Sequence, residues 1–161
     1  MTEEIYQKLY EYIISGDINP GENLNISSLK EKFNVSLAVV REALLRLTAQ
    51  GIVVQKANCG FTVIELTTEK LEGVIESRKI NEGAAIRLAI QNTDITYESN
   101  IIAKKYELDH TSVYLDKENK LINPIWNDKH YEFHYSLIQG CNNATLLHIC
   151  NYLWNISKIF R

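Results

Sequence analysis

Hydrophobic residues recur at helical spacing through the first part of the chain. Ile5, Leu9 and Ile13 stand at positions i, i+4 and i+8, which predicts a helix with one buried face. Gly16 is a typical residue for the end of that helix, and a short second helix is predicted over about residues 27–33. This part of the chain therefore predicts two helices with a turn between them.

A third helix and a β-hairpin follow. The apolar face of the helix is formed by Val40, Ala43, Leu44 and Leu47. Ser36 is a suitable N-cap for this helix, and Gly51 is a suitable stop. Two β-rich runs, residues 52–55 and 61–66, flank a segment that ends at Gly60, which predicts a hairpin. This order of elements is the plan of a winged helix-turn-helix, in which the third helix enters the major groove of DNA.

The pattern after residue 66 is wholly helical. Helices are predicted over about residues 68–91, over about residues 97–108, from Pro124 to Gly140, and from Asn143 onward. The fold class is therefore mainly α. A winged helix-turn-helix of three helices and a β-hairpin is expected at residues 1–66, and an all-α helical bundle is expected at residues 67–161.

The last predicted helix carries no clear stop. Its apolar stripe continues to Phe160, and no glycine or proline follows Trp154. We therefore expect the helical domain to be C-terminally truncated, with Leu153, Trp154 and Phe160 exposed to solvent. Such a surface predicts poor solubility or self-association.

Charge limits how the chain could bind nucleic acid. The net charge is −3 and the pI is about 5.8, so no overall positive field attracts DNA. DNA binding would have to come from a local patch of cations. The candidates for that patch are Lys30, Lys32, Arg41, Arg46 and Lys56.

The sequence also predicts where the chain resides. It has no apolar run of membrane-spanning length and no signal peptide, and its three cysteines form no CxxC pair. A cytoplasmic location with reduced thiols is expected, without a membrane partner. Cys59 in the hairpin is either a redox sensor or, as is more usual, a solvated surface residue.

Three motifs resemble the GntR family of bacterial transcription regulators. They are IISGDINPGENL, VREALLRLTAQGIV and GFTV, and they follow one another through the predicted winged helix. In the second half, ESRKINEGAAIRLA and HYEFHYSLIQGCNNATLL resemble the helical effector domain of the FadR-like branch. Within that branch, the segments VSLAVVREAL and WNDKHYEFH are most similar to the carbon-starvation regulator type.

The resemblance implies a transcription regulator that binds a palindromic operator in double-stranded DNA as a homodimer. The residues expected to contact DNA are Ser36, Leu37, Ala38, Arg41, Arg46, Lys56 and Gly60. Arg41 is the leading candidate for a base or phosphate contact, and the alternative for both arginines is a solvated surface side chain. Leu37 and Ala38 are apolar where family members often carry polar residues, which leaves thymine-methyl contact or shape readout as options.

Two charges interrupt the apolar stripe of the long helix at residues 68–91. Arg78 and Glu82 lie at i and i+4, where they must be paired or face a polar cavity. One hypothesis is an internal ion pair that holds helices together. The other is an effector site in which Arg78 binds a small carboxylate metabolite through two parallel hydrogen bonds. The expected truncation would leave that site incomplete.

Two histidines share one face of a later helix. His130 and His134 lie at i and i+4, a spacing that lets two imidazoles bind one divalent metal such as zinc. The resemblance implies further histidine ligands on later helices, which this sequence does not supply. The predicted metal site is therefore incomplete, and the alternative is a pair of solvated or hydrogen-bonded histidines.

The sequence fits other classes of function less well than DNA binding. A metal-dependent enzyme would need a third ligand, a general base and a nucleophile arrangement, and the sequence provides none of these. The chain is therefore predicted not to be an enzyme. The remaining alternative is a dimerising interaction module or antagonist that has no operator binding of its own.

Overall fold

The spacing that predicts the first helix also holds it to the core. The computed structural model describes residues 2–56, 60–116, 118 and 121–160. Helix α1 comprises Thr2–Ile14, and its residues Ile5, Leu9 and Ile13 are buried. Gly16 follows with a φ of 84°, a left-handed conformation that glycine adopts without a steric penalty. The predicted helix and its stop are confirmed.

Helices α2 (Ile26–Phe33) and α3 (Leu37–Ala49) begin at polar caps and form the helix-turn-helix. Asn25 Oδ1 accepts hydrogen bonds from two backbone N–H groups at the start of α2. Ser36 Oγ accepts from Val39 N at 3.4 Å at the start of α3, as predicted. The turn between the helices contains Asn34, which has a φ of 51°.

The hairpin belongs to a sheet with one more strand than expected. The strands are β1 (Asn23–Leu24), β2 (Val53–Lys56) and β3 (Gly60–Val63). They lie in the order β1-β3-β2, and both pairings are antiparallel. Strand β1 was missed because two residues carry no alternation of their own. It exists because the turn at residues 19–22 brings it beside β3, where Thr62 Oγ1 donates to Asn23 Oδ1 at 2.9 Å.

The chain divides into two compact units, and their limits differ from the predicted domains. The first unit contains residues 1–78 together with 151–161, and the second contains residues 79–150. The core of the first unit joins α1, α2, α3 and the sheet. Its largest fully buried side chains are Leu9, Val40, Leu44, Leu47, Ile52, Val53, Phe61 and Val63.

The C-terminal segment 151–160 is packed within the first unit rather than exposed. Ile159 contacts the core of that unit, and Lys158 Nζ donates to Tyr10 Oη at 3.2 Å. A Cβ atom at Gly51 would lie 2.7 Å from the ring of Tyr152, so the segment also lies close to the end of α3.

The predicted exposure of Leu153, Trp154 and Phe160 is therefore wrong. Trp154 is only 4% exposed, and Leu153 and Phe160 are half-buried. For Trp154 the error arose because its ring packs beside the guanidinium of Arg78, a residue that is distant in sequence. The exposed apolar surface that motivated the predicted self-association is not formed by these three residues.

The second unit is built mainly from helices. The remaining elements of the chain are α4 (Thr68–Gln91), α5 (Ile95–Asp109), β4 (Tyr114–Asp116), β5 (Leu121–Ile122), α6 (Pro124–Ile138) and α7 (Ala144–Ile159). Ala85 and Ala89 of α4 are fully buried with Ile138, Cys141 and Cys150. The alanine half of the predicted α4 stripe is therefore a core face. No helix in the described ranges is long and apolar enough to cross a membrane.

Two features of the second unit were not expected. The polar connection before α6 contains the antiparallel pair β4–β5. The sequence did not suggest these strands because few apolar residues flank the polar run. Helices α5 and α6 are also joined by crossed ion pairs, Lys104 to Glu132 and Lys129 to Glu107, both at 2.8 Å. Hydrogen bonds from these lysines lower the pKa of both glutamates.

Adjacent leucines on α3 provide a test of the core. Leu44 is fully buried and Leu45 is 46% exposed. We expect Leu44→Ala to lower the free energy of unfolding by about 2–5 kcal/mol, because it leaves a cavity. Leu45→Ala should change it by roughly 0.5 kcal/mol or less. Urea unfolding followed by circular dichroism measures both, and equal losses would contradict this packing of α3.

The two tryptophans test the placement of the C-terminal segment. In the variant Trp126→Phe, the remaining Trp154 is expected to emit at short wavelength and to resist quenching by acrylamide, because it is buried. In Trp154→Phe, the remaining Trp126 is half-buried and should be quenched more strongly. If Trp154 were quenched as readily as a free indole, the segment would not be packed as described.

Candidate nucleic-acid interface

Helix α3 has one face in the core and one face in solvent. Val40, Ala43, Leu44 and Leu47 are fully buried. On the opposite side, Leu37, Arg41 and Leu45 follow one another at intervals of four residues, and all three are exposed. The core thus determines which side chains α3 presents outward.

The start of α3 is suited to a phosphate group. Ser36 is exposed, and its hydroxyl oxygen caps the helix while the hydroxyl hydrogen can still be donated to another acceptor. The amino end of a helix carries a partial positive charge, which attracts anions. Leu37 and Ala38 are exposed beside Ser36, whereas Val39 is buried and belongs to the core.

The two arginines of α3 have different surroundings. Within the described residues, the exposed Arg41 forms no hydrogen bond or ion pair. Arg46 instead contacts α1, with its Nη1 atom 2.8 Å from Glu3 Oε2 and its guanidinium 4.2 Å from the centre of the Tyr6 ring. Arg41 is therefore available for a ligand, and the contacts of Arg46 favour a role in joining α3 to α1.

The hairpin supplies a second basic position. Lys56 Nζ lies 3.5 Å from Glu65 Oε1 in an exposed pair, a contact of little energetic weight. Gly60 has a φ of 78°, and a Cβ atom there would meet nothing within 4 Å. The backbone conformation, not crowding, therefore requires glycine. Cys59 lies outside the described residues, so the redox hypothesis for it is untested.

The N-terminal part of the chain matches a known protein family. Residues 1–63 match the family model of the bacterial regulatory proteins of the gntR family. This N-terminal segment is therefore similar to the DNA-binding part of the GntR family. The match ends at Val63, the last residue of β3, and so covers the helix-turn-helix and the hairpin.

Individual GntR relatives extend the similarity into the second half of the chain. The HTH-type transcriptional repressor GlaR of Escherichia coli K12 is 26% identical over 156 residues, covering 97% of this chain and 70% of GlaR. The Nta operon transcriptional regulator of Aminobacter aminovorans is 30% identical over 134 residues, covering 83% and 60%. BphR of Paraburkholderia xenovorans LB400 is 28% identical over 149 residues, covering 89% and 59%. The chain thus spans between 59% and 70% of the length of these three relatives.

Solved structures show the same fold. McbR/YncC of Escherichia coli superposes with a TM-score of 0.67 at 22% identity, covering 96% of this chain and 70% of McbR. A GntR regulator from Rhodococcus sp. RHA1 also gives a TM-score of 0.67 at 22% identity, covering 98% and 72%. The mainly helical fold with an N-terminal winged helix is confirmed.

The predicted effector residues Arg78 and Glu82 both lie on α4, four residues apart. Arg78 lies in the first unit, where its Nη1 donates to Ser157 Oγ at 3.2 Å and its guanidinium is 4.7 Å from the centre of the Trp154 ring. Glu82 lies in the second unit and is half-buried on α4. The contacts of Arg78 favour an internal structural role for that residue.

The two histidines of α6 do converge, as their spacing predicts. His130 Nε2 and His134 Nε2 are 3.1 Å apart, a hydrogen-bond distance, and the ring of Trp126 stacks on His130. Zinc in proteins usually takes four ligands. Among the residues that the structure describes, no group of three or more histidine, cysteine, aspartate or glutamate side chains could hold a metal. The pair alone does not fit a complete metal site.

Sequence reasoning missed the partners of Arg46 on α1. Glu3 and Tyr6 lie on α1, far before Arg46 in the sequence. Spacing within one helix gives no signal for a contact between two helices. Leu45 was missed as well, although its place four residues after Arg41 indicates the same outward face.

The contact between Arg46 and Glu3 predicts a pH-dependent attachment of α3 to α1. The hydrogen bond from Arg46 lowers the pKa of Glu3, so the contact contributes stability above the ordinary glutamate pKa and loses it as the pH falls through the lowered value. In Arg46→Gln, the pKa of Glu3 should return toward its ordinary value. NMR titration of the glutamate carboxyl carbons measures this. Glu4, whose pKa is lowered by Lys8, is the internal control and should not change.

Proposed function

We propose that this chain is a sequence-specific DNA-binding transcription regulator in which α3 enters the major groove. The observation that carries the proposal is Arg41, which is exposed on the outward face of α3 and has no hydrogen bond or ion pair with any residue that the structure describes. The family match over residues 1–63 supports it, because that match covers the whole helix-turn-helix. The names of the relatives, a repressor and an operon regulator among them, agree with regulation of transcription.

Local contacts supply the affinity in this proposal. The net charge of −3 excludes attraction by the chain as a whole, so binding depends on a few groups. Ser36 and the first N–H groups of α3 bind one phosphate, Arg41 contacts a base or phosphate, and Lys56 binds the backbone beside the hairpin. Arg46 contacts Glu3 and Tyr6 of α1 and adds to the buried contacts that orient α3.

The remaining parts of the proposal concern assembly and regulation. Two copies of the chain bind the two halves of a palindromic operator, as the two-fold symmetry of such sites requires. The second unit responds to a small carboxylate metabolite, which the resemblance to the FadR-like branch supports. A divalent metal would take His130 and His134 as two of its ligands only if further ligands were supplied. The chain acts in the cytoplasm and is not an enzyme.

Arg41→Ala is the decisive variant for DNA binding. We expect it to weaken binding to the selected operator by about 1–3 kcal/mol, the usual contribution of an arginine that reads a base. Fluorescence anisotropy at several salt concentrations measures the affinity, after operators have been selected from a random duplex pool with the unmodified chain. Circular dichroism verifies that the variant is folded.

Arg87→Ala provides the matched control. Arg87 is also an exposed arginine, but it lies on α4 in the second unit. Its replacement should leave the affinity and its salt dependence unchanged. Equal affinities of the Arg41 and Arg87 variants would contradict the proposed orientation of α3.

A further inference from the structure

An apolar side chain stands at the start of α3, outside the core. Leu37 is the first residue of the helix and is 50% exposed, and Ala38 beside it is exposed as well. Val39 and Val40, by contrast, are buried in the core of the first unit. Packing of this core thus accounts for the two valines but not for Leu37.

Leu37 and Arg41 can address neighbouring base pairs. They lie four residues apart, which places them on one face of α3 and about 6 Å apart along its axis. Successive base pairs are about 3.4 Å apart, so these side chains reach positions roughly two steps apart in a major groove. The residues near the amino end of such a helix are the ones that contact base edges.

The chemistry of the two side chains selects different bases. Leucine has no hydrogen-bond donor or acceptor, and the apolar group that the major groove offers is the 5-methyl group of thymine. Arginine donates two parallel hydrogen bonds to O6 and N7 of guanine. We propose that Leu37 is a specificity-determining residue that reads a thymine methyl group about two base pairs from a guanine read by Arg41. This inference rests on the proposed function of the chain in DNA binding.

Replacement of thymine by deoxyuridine tests the inference, because it removes only the methyl group. The 161-residue chain is first used to select duplexes from a random pool. Each thymine of a selected duplex is then replaced in turn, symmetrically in both half-sites, and the affinity is measured by fluorescence anisotropy. At one position the affinity should fall by about fourfold for each half-site, the ratio that one buried methyl group provides.

Two leucine variants connect that loss to Leu37. The Leu37→Ala variant should bind with equal affinity to the duplex that has thymine at that position and to the duplex that has deoxyuridine there. Leu45→Ala is the matched control, since Leu45 is about as exposed as Leu37 but lies about 12 Å further along α3. This control should retain the difference between the two duplexes.

The possible failures can be told apart. If selected duplexes bind but no deoxyuridine substitution lowers their affinity, the role of Leu37 is overturned while DNA binding stands. The same conclusion follows if Leu37→Ala keeps the full loss on substitution. If the folded chain selects no duplex at all, the proposed function fails, and the inference fails with it.

Discussion

The burial of one face of α3 is the constraint on which the rest of the DNA-binding unit depends. Val40, Ala43, Leu44 and Leu47 have no solvent exposure, so α3 cannot rotate about its axis without exposing a leucine. This fixed rotation decides that Arg41 faces outward. An interface that binds through few side chains needs such a rigid support, since its contacts are lost when the helix is displaced by a fraction of a turn.

The two arginines of α3 show how position changes the role of identical chemistry. Arg41 and Arg46 are five residues apart. Because five residues are not a whole number of helical turns, the two side chains leave α3 on different sides. Arg46 reaches α1 and meets the carboxylate of Glu3 and the ring of Tyr6. Arg41 meets solvent. A count of cations near the predicted DNA-binding helix treats both as equivalent, whereas their surroundings separate a structural contact from an available one.

Much of the fold could be predicted from periodicity, and the failures have a common physical cause. The long helix predicted at residues 68–91 is α4 with the same limits, and Ser36 caps α3 as expected. These features depend on neighbours in sequence. Strand β1 and the burial of Trp154 depend on partners far along the chain, which no local pattern encodes.

The candidate site divides in the same way. The sequence was sufficient to place Ser36 at the start of α3 and to bring His130 and His134 together, because both arrangements follow from spacing within a turn or a helix. The sequence could not predict that Arg78 contacts Ser157 and Trp154, because these two residues lie on a helix far along the chain. Local rules therefore located the polar groups, and only tertiary packing showed which of them already have partners.

The contribution of residues 151–160 to the first unit has a consequence for biosynthesis. A nascent chain can form α1, α2, α3 and the sheet early, but Lys158 and Ile159 reach that unit only after α4, α5 and α6 have been synthesised. Contacts between residues so distant in sequence form late and slow the completion of folding. The first unit thus begins to fold early in translation, but its packing against α1 is completed only once α7 has been synthesised.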